Sequence, residues 1–272
     1  MTTEGQAQRI RLDQLLIDRG SARGRGEARS LIEDGRVSVN GIVVTKPGQA
    51  VTATATIDVE QPPEQYASRG GIKLAAALER FPMPVEGQVA LDVGASTGGF
   101  TDVLLRRGAG RVYAVDVGYG QIAWTLRQDP RVCVMDRTNI RYLQELPEAP
   151  SIATIDVAFI SLDLVLPPVQ RLLAANGQVV CLIKPQFEVG KNLVGKGGVV
   201  RSTEAHAAVL KRVLTNAEAD GWIVGGVMAS PITGPAGNKE FLAWLHHDPV
   251  NPSTNLNEEI RRALSDTTSL PA

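Results

Sequence analysis

A short apolar run that ends in a glycine-rich turn constrains this chain more than any other feature. Residues 90–100 read Ala-Leu-Asp-Val-Gly-Ala-Ser-Thr-Gly-Gly-Phe. Val89, Leu91 and Val93 predict a short buried strand, and the small residues after them let the backbone turn closely around a ligand before a helix at 101–107. The spacing is neither that of a P-loop nor that of a dinucleotide fingerprint. The segment predicts a cofactor loop, and a tight strand-to-helix turn without a ligand is the alternative.

Apolar runs alternate with helical stretches several times after this loop. The predicted strands are 111–116, 131–135, 152–157, 178–183, 222–229 and 240–245. Such alternation is typical of an open, mostly parallel, doubly wound sheet, in which ligands bind at the carboxyl ends of the strands. We therefore expect a Rossmann-like α/β sheet with its site at that edge.

Charged residues follow the predicted strands where a ligand would lie. Asp116 ends the second strand, at a spacing from Asp92 at which an acidic side chain meets a ribose diol in dinucleotide-binding folds. Asp136, Asp156 and Lys184 end the next three strands. One polar strand end is ordinary, but several around one glycine loop favour a functional site.

Composition limits the class of protein. The length of 272 residues suggests about two domains, and the net charge of −1 means that any basic surface is local. Cys133 and Cys181 lie in apolar runs and are expected to be buried, reduced thiols, which suits the cytoplasm. The sequence contains no signal-peptide core and no apolar run as long as a membrane span, so we expect no membrane partner. His206, His246 and His247 form no ligand cluster, so we expect no metal, and the last two are expected at the surface.

A small α+β module is predicted before the cofactor loop. Apolar residues at helical spacing predict helices over 10–20 and 24–34, each ending at a glycine. Alternating valines around Asn40-Gly41 predict a hairpin, and 57–59 predicts a further strand. The order of helices, hairpin and glycines over residues 9–59 resembles the S-four RNA-binding domain.

Basic residues cluster on and beside these two helices. They are either a solvated face or a surface that binds phosphates, and the resemblance to the S-four domain favours the second. A further arginine lies before the predicted helix at 73–80, where glycines let the backbone approach RNA. The RNA-binding candidates are Arg11, Arg19, Arg23, Arg25, Arg29, Lys46 and Arg69.

The remaining segments complete the expected organisation. The polar, proline-bearing stretch at 60–67 predicts a linker, and the catalytic domain is expected at 68–247. Residues 248–272 carry three prolines around a short charged helix candidate at 256–264, which predicts a mobile tail.

Long motifs in the larger domain resemble those of the TlyA family. They lie at 92–102, 115–121, 136–139, 156–162, 184–190 and 197–201. The match runs to about residue 247. Members of this family are S-adenosylmethionine-dependent ribosomal RNA 2′-O-methyltransferases with a catalytic domain like that of the FtsJ heat-shock methyltransferase. The resemblance implies S-adenosylmethionine as cofactor and ribosomal RNA or ribosomal subunits as partner, with a cytidine of small- and/or large-subunit RNA as acceptor.

The resemblance also implies a catalytic tetrad of Lys73, Asp156, Lys184 and Glu240. Lys184 follows an apolar strand and is the expected base for the 2′-hydroxyl, because burial favours a neutral amine. Lys73 is expected to stabilise the forming alkoxide, and the two carboxylates to orient the lysines and the donor. Lys239 replaces the apolar residue that is usual beside the tetrad glutamate. The expected cofactor ligands are Asp92, Gly94, Ser96, Thr97, Gly98, Gly99, Phe100, Asp116 and Asp136.

Two other classes of function remain open at this point. A binding module on a decayed methyltransferase fold would have lost catalytic groups, and their presence argues against it. A membrane-damaging protein is the other alternative, because relatives of this family carry a haemolysin name. The sequence shows no span and no basic amphipathic membrane helix, which disfavours direct lysis.

Overall fold

The computed structural model describes residues 9–22, 24–60, 66–190, 194–248 and 254–266. By its internal contacts the chain divides into two compact units, one up to residue 65 and one from Tyr66 onward. Of the predicted linker, only Glu60, Tyr66 and Ala67 are among the described residues. Tyr66 and Ala67 belong to the second unit, where the Ala67 amide donates to the Asp102 carboxylate at 2.8 Å.

The amino-terminal unit joins two helices to short strands. Its elements are β1 (Arg9–Arg11), α1 (Leu12–Asp18), α2 (Arg25–Glu33), β2 (Val37–Val39), β3 (Ile42–Val43), β4 (Ala50–Thr52) and β5 (Ile57–Val59). Strand β2 pairs with β3 and β5, and β1 pairs with β4, all antiparallel. Asn40 and Gly41 have φ angles of 52° and 80° between β2 and β3, which confirms the predicted two-residue turn. Leu12, Leu16 and Ile32 are fully buried in its core.

The larger unit is a three-layer α/β structure. Its strands are β6 (Val89–Val93), β7 (Arg111–Val115), β8 (Val132–Met135), β9 (Ile152–Ile155), β10 (Gln178–Ile183), β11 (Ile223–Ala229) and β12 (Phe241–His246). Its helices are α3 (Gly70–Arg80), α4 (Gly99–Arg106), α5 (Trp124–Arg127), α6 (Leu166–Leu172), α7 (Pro185–Glu188), α8 (Thr203–Ala219) and α9 (Leu256–Asp266). Helices α6, α8 and α9 contribute to one core cluster, and α3, α4 and α5 to the other.

The sheet is parallel except at one side. Its strand order is β11-β12-β10-β9-β6-β7-β8, and the pairs from β10 to β8 are parallel. The predicted mostly parallel, doubly wound sheet is therefore confirmed. Strand β12 runs antiparallel to both β10 and β11, with Phe241 opposite Ile183. Because of that reversal, the residue before β12 lies at the edge where the parallel strands end.

Two expectations about single side chains were wrong. Cys133 is exposed because it lies on β8, the edge strand, whereas Cys181 on the central strand β10 is buried. His246 is buried because β12 lies between two other strands, and that burial lowers the pKa of its imidazole.

The structure and the expected mobile tail differ over residues 254–266. Helix α9 packs against β11 there, with Ile260 and Ala263 buried. The Glu259 carboxylate accepts a hydrogen bond of 3.2 Å from the Val227 amide. The charged helix candidate thus has one apolar face, formed by residues about a helical turn apart, and this face packs against the edge strand β11.

Within the described part of the chain, no helix has both the length and the apolar character needed to cross a bilayer. The same residues contain no cluster of three or more His, Cys, Asp or Glu side chains that could hold a metal ion.

Candidate functional site

Close backbone packing shapes the glycine loop between β6 and α4. Gly94 has a φ of 82°, and a Cβ there would lie 2.3 Å from the Asp156 carbonyl oxygen. Gly98 has a φ of 94°, and a Cβ there would lie 2.3 Å from Leu126. At Gly94 the clash is with backbone, so only glycine combines the left-handed conformation with the available space, whereas at Gly98 it is mainly the left-handed conformation that favours glycine. The loop therefore lies directly against the end of β9, which carries Asp156.

A cavity of about 840 Å³ lies at the carboxyl ends of β6, β7 and β9. Asp116 lines it with a fixed carboxylate, which accepts hydrogen bonds of 2.8 Å from the Ser96 amide and 2.6 Å from the Gly118 amide. Each oxygen of a carboxylate has a further lone pair, so this group can also accept from hydroxyl donors of a ligand. The cavity thus offers a hydrogen-bond acceptor at the strand end predicted to meet a ribose diol.

Two of the expected cofactor ligands have other partners in the structure. Asp92 is fully buried, and its carboxylate accepts from the hydroxyls of Thr101 at 2.6 Å and Thr154 at 3.1 Å. Burial raises the pKa of Asp92 to about 7, against the opposing effect of these hydrogen bonds. Asp92 therefore supports the loop from below and is not among the residues that line the two cavities.

Asp136 forms an ion pair of 2.7 Å with Arg127. The hydrogen bond from this guanidinium holds the pKa of Asp136 below its usual range. Among the described residues that line the two cavities of the site, neither Asp136 nor Gly98 is present. Arg127 lies on α5, and a pairing between separate elements of this kind has no signature in the sequence.

A smaller cavity of about 210 Å³ adjoins the first. Gly94, Ser96, Asp156 and Lys184 line both cavities and form their shared wall. The predicted ligands Thr97, Gly99 and Phe100 line the smaller cavity, together with Arg69, Lys73 and Glu240. The structure therefore brings all four predicted tetrad residues to one place, and two of them lie where the cavities meet.

The tetrad consists of two ion pairs with different burial. Lys184 Nζ lies 2.5 Å from Asp156 Oδ1, and these side chains are 14% and 21% exposed. Lys73 Nζ lies 2.5 Å from Glu240 Oε2, and these side chains are 8% and 1% exposed. Two charges of each sign fall within one region, so the tetrad is neutral overall. One pair is nearly sealed off from solvent, and the other remains accessible to a substrate.

Sequence reasoning missed Phe159, which also lines the larger cavity. Its φ is 62° and it is 90% exposed, a combination that is rare for a bulky residue. It follows Asp156 in a motif of the sequence, but neither the exposure nor the backbone conformation can be read from that motif.

In the amino-terminal unit the predicted RNA-binding residues have different surroundings. Arg19 donates to the Ala53 carbonyl at 2.7 Å, and Arg29 pairs with Glu33 at 2.7 Å. Lys46 is exposed, and Arg23 lies outside the described residues. Arg11 and Arg25 line a depression of about 420 Å³ that also contains Arg9 and Asp13, and Arg11 pairs with the Asp13 carboxylate at 2.6 Å.

Arg9 was missed by the sequence analysis. It lies two positions before Arg11 on β1, and both residues are exposed. Side chains two apart on a strand point to the same face, so the alternation could have indicated it. In the larger unit, Arg69 is exposed at the mouth of the smaller cavity.

Comparison with known proteins agrees with this architecture. Residues 66–247 match the model of the FtsJ-like methyltransferases, and residues 10–57 match that of the S4 domain. The YqxC protein of Bacillus subtilis is 48% identical over 239 residues, which are 87% of this chain and 85% of that protein. The Mycobacterium tuberculosis protein named 16S/23S rRNA (cytidine-2′-O)-methyltransferase TlyA is 45% identical over 267 residues, which are 96% of this chain and 99% of that protein.

A solved structure of a protein from Streptococcus thermophilus, titled as a hemolysin, is similar to this chain over nearly its full length. It is 41% identical in sequence, covers 97% of both chains and superposes with a TM-score of 0.72. Family models, relatives and structure agree over both units of the chain. The chain belongs to the TlyA family, in which an S4 domain precedes an FtsJ-like methyltransferase domain.

Proposed function

We propose that this protein transfers a methyl group from S-adenosylmethionine to a ribose 2′-hydroxyl of ribosomal RNA. The observation that carries the proposal is the meeting of two cavities at the Asp156–Lys184 ion pair. A methyl donor in the larger cavity and an acceptor in the smaller one would then meet beside this ion pair, where the two cavities join. The TlyA protein of Mycobacterium tuberculosis is named for this reaction on cytidine, which supports the same chemistry here.

The larger cavity fits S-adenosylmethionine by the chemistry of its walls. Asp116 would accept from the ribose hydroxyls, and the tight turn at Gly94 leaves room for the ligand beside the strand end. The cofactor supplies a methyl group activated by a positive sulfur, which becomes a neutral thioether when the methyl leaves. Asp92 would support cofactor binding indirectly, because its hydrogen bonds to Thr101 and Thr154 hold the base of the glycine loop.

The tetrad would perform the proton transfer and the alignment that this reaction needs. A ribose hydroxyl is a poor nucleophile at neutral pH, so its proton must be removed or polarised as the methyl arrives. Lys184 Nζ, when unprotonated, would take that proton, and Asp156 would stabilise the resulting ammonium group. Lys73, held by Glu240, would keep a positive charge near the developing alkoxide.

The amino-terminal unit would capture the RNA. Its match to the S4 domain and the depression that contains Arg9, Arg11 and Arg25 support contact with phosphates. We keep the predicted boundaries for this division of labour, with RNA capture at 9–59 and catalysis at 68–247. The acceptor would be a cytidine in one or both ribosomal subunits, and the protein would work in the cytoplasm, where bacterial subunits are found.

A transfer assay tests the proposal. Ribosomal subunits from a strain that lacks the enzyme are incubated with labelled S-adenosylmethionine and either wild type, Lys184→Ala or the control Lys211→Ala, which changes an exposed lysine of α8. Resistance to alkaline cleavage then maps ribose methylation. Label at a defined 2′-oxygen with wild type and control, lost with Lys184→Ala, supports the proposal. Cofactor binding without label on either subunit contradicts it.

A further inference from the structure

A buried carboxylate connects the two segments that follow the accessible ion pair of the tetrad. Glu188 ends α7, the short helix after Lys184, and its side chain is 2% exposed. Its carboxylate accepts hydrogen bonds of 2.7 Å from the Ser161 hydroxyl and 2.8 Å from the Leu162 amide. Both donors belong to the turn at 157–162, which directly follows Asp156. One side chain therefore ties the continuation of Lys184 to the continuation of Asp156.

A single guanidinium from α8 completes this connection. Arg212 donates to the Glu188 carboxylate at 2.6 Å and to the Glu188 main-chain carbonyl at 3.2 Å. It also pairs with Asp163, just beyond the turn, and Asn216 donates to the same carboxylate at 3.2 Å. The planar fork of arginine can serve several acceptors at once, which a lysine ammonium does less well.

The turn that these contacts hold is strained. Phe159 adopts the left-handed region with a φ of 62°, and such a conformation persists only where surrounding contacts impose it. Its ring packs against Phe187, the neighbour of Glu188, with ring centroids 4.8 Å apart. Both rings line the larger cavity beside Asp156 and Lys184. The strain is therefore located in the wall of the reaction site.

Helix α8 does not depend on Arg212 for its own attachment. Val209, Leu210, Val213 and Leu214 of this helix are buried in the core. The Arg212 side chain is 40% exposed, and its bonds go to Glu188 of α7 and to Asp163 just beyond the turn. The helix thus provides a well-packed support from which the guanidinium reaches α7 and the segment just beyond the turn.

We propose that Glu188 and Arg212 are positioning residues that hold the turn at 157–162 and thereby keep Asp156 aligned with Lys184. They touch neither substrate nor cofactor, and they act through the segments on either side of the ion pair. The kinetic part of this inference rests on the proposed function, whereas its structural part does not. A small displacement of a reacting group lowers the rate of an aligned transfer far more than it lowers binding.

The kinetic test compares Arg212→Gln with Arg212→Lys, which keeps the charge. Arg111→Gln is the control, because it removes a guanidinium from a remote ion pair with Glu148. We expect kcat, measured at saturating cofactor and RNA, to fall about tenfold or more in Arg212→Gln. KM for RNA and Kd for the cofactor should change less than about threefold. Arg212→Lys keeps the charge but not the planar fork, so it should recover part of kcat. Ser161→Ala is a milder change, which serves if Arg212→Gln does not fold. It is expected to lower kcat about threefold.

Amide hydrogen exchange tests the same inference without any activity. The Leu162 amide donates to Glu188, so its exchange should accelerate about tenfold or more in Arg212→Gln and stay unchanged in Arg111→Gln. Unchanged exchange at Leu162, or kcat within about twofold of wild type in Arg212→Gln, overturns the inference. If wild type methylates no RNA, the proposed function fails, and the exchange at Leu162 alone decides whether the turn is held in this way.

Discussion

Lys73 donates a hydrogen bond of 2.5 Å to Glu240, 167 positions further along the chain, and both side chains are buried. The pair joins α3 to the residue before β12, the one strand of the sheet that runs antiparallel to both of its neighbours. Two charges are removed from water here, and each of them is tolerated only because the other is present.

Removing one member should therefore destabilise the protein more than replacing both. Glu240→Ala leaves the Lys73 ammonium buried and uncompensated, and we expect the free energy of unfolding to fall by about 3 kcal/mol. The double variant Lys73→Met/Glu240→Gln, which buries no charge, should recover much of that loss while remaining inactive. Denaturant unfolding and methyl transfer measure the two effects. A double variant as unstable as Glu240→Ala would contradict this account of the pair.

Asp92 should make the stability of the protein depend on pH. Burial raises its pKa in the folded protein to about 7, above the ordinary value of 3.8 that it regains on unfolding. The unfolded chain therefore loses this proton first as pH rises, and stability decreases between those two values.

Asp92→Asn removes this dependence, because an amide does not titrate. Between pH 5 and pH 8 the free energy of unfolding of the variant should rise relative to wild type, by about 3 kcal/mol. Other titrating groups are common to both proteins and cancel in the difference. Denaturant unfolding at the two pH values without cofactor measures it, and a difference that stays constant with pH would show that Asp92 is ionised throughout.

The rule that ligand groups lie at strand ends succeeded for three of the four predicted side chains that follow a parallel strand. Asp116, Asp156 and Lys184 line the cavities on that basis. The rule did not place Asp136, which follows β8 but pairs with Arg127 and lines neither cavity. Asp92 departs from the rule because it lies within β6, where the alternation of the strand turns it toward Thr101 of α4. Strand position alone does not distinguish a ligand group from one that supports the loop below it.

Glu240 shows the second limit of the sequence. The apolar run at 240–245 predicts a strand but carries no information about its direction, and only the antiparallel pairing of β12 brings the start of that strand to the site. Resemblance to the TlyA family identified Glu240, which periodicity could not do. The network of Glu188 and Arg212 could not be predicted from the sequence at all, because it joins three elements through side chains that follow no local pattern.

Gly94→Ala should weaken cofactor binding. A Cβ at this position would lie 2.3 Å from the Asp156 carbonyl oxygen, and the φ of 82° is unfavourable for alanine. We expect the loop to move and the affinity for S-adenosylhomocysteine to fall about tenfold or more, since strain of this kind costs about 1–3 kcal/mol. Gly190→Ala is the control, because apart from its chain neighbours no atom of the described residues lies within 4 Å of its added Cβ. Calorimetric titration measures both affinities, and equal affinities would show that the loop tolerates a side chain.

The amino-terminal depression should govern the salt dependence of RNA binding. Arg9, Arg11 and Arg25 line it, and each cation that contacts a phosphate releases counterions when RNA binds. Arg9→Gln and Arg25→Gln should each weaken binding and reduce the slope of log K against log salt by about 0.7–0.9, depending on whether the contacted RNA is single- or double-stranded.

Arg131→Gln is the control for that measurement, because it removes a guanidinium that pairs with Asp129 in the larger unit. Filter binding at a series of salt concentrations gives the slopes, and kcat at saturating RNA should stay near the wild-type value in all three variants, since the substituted residues lie outside the reaction site. A slope that changes equally in Arg131→Gln would mean that the residues of the depression do not contact the phosphates. A fall in kcat at saturating RNA in the variants of the depression would mean that the amino-terminal unit does more than capture the substrate.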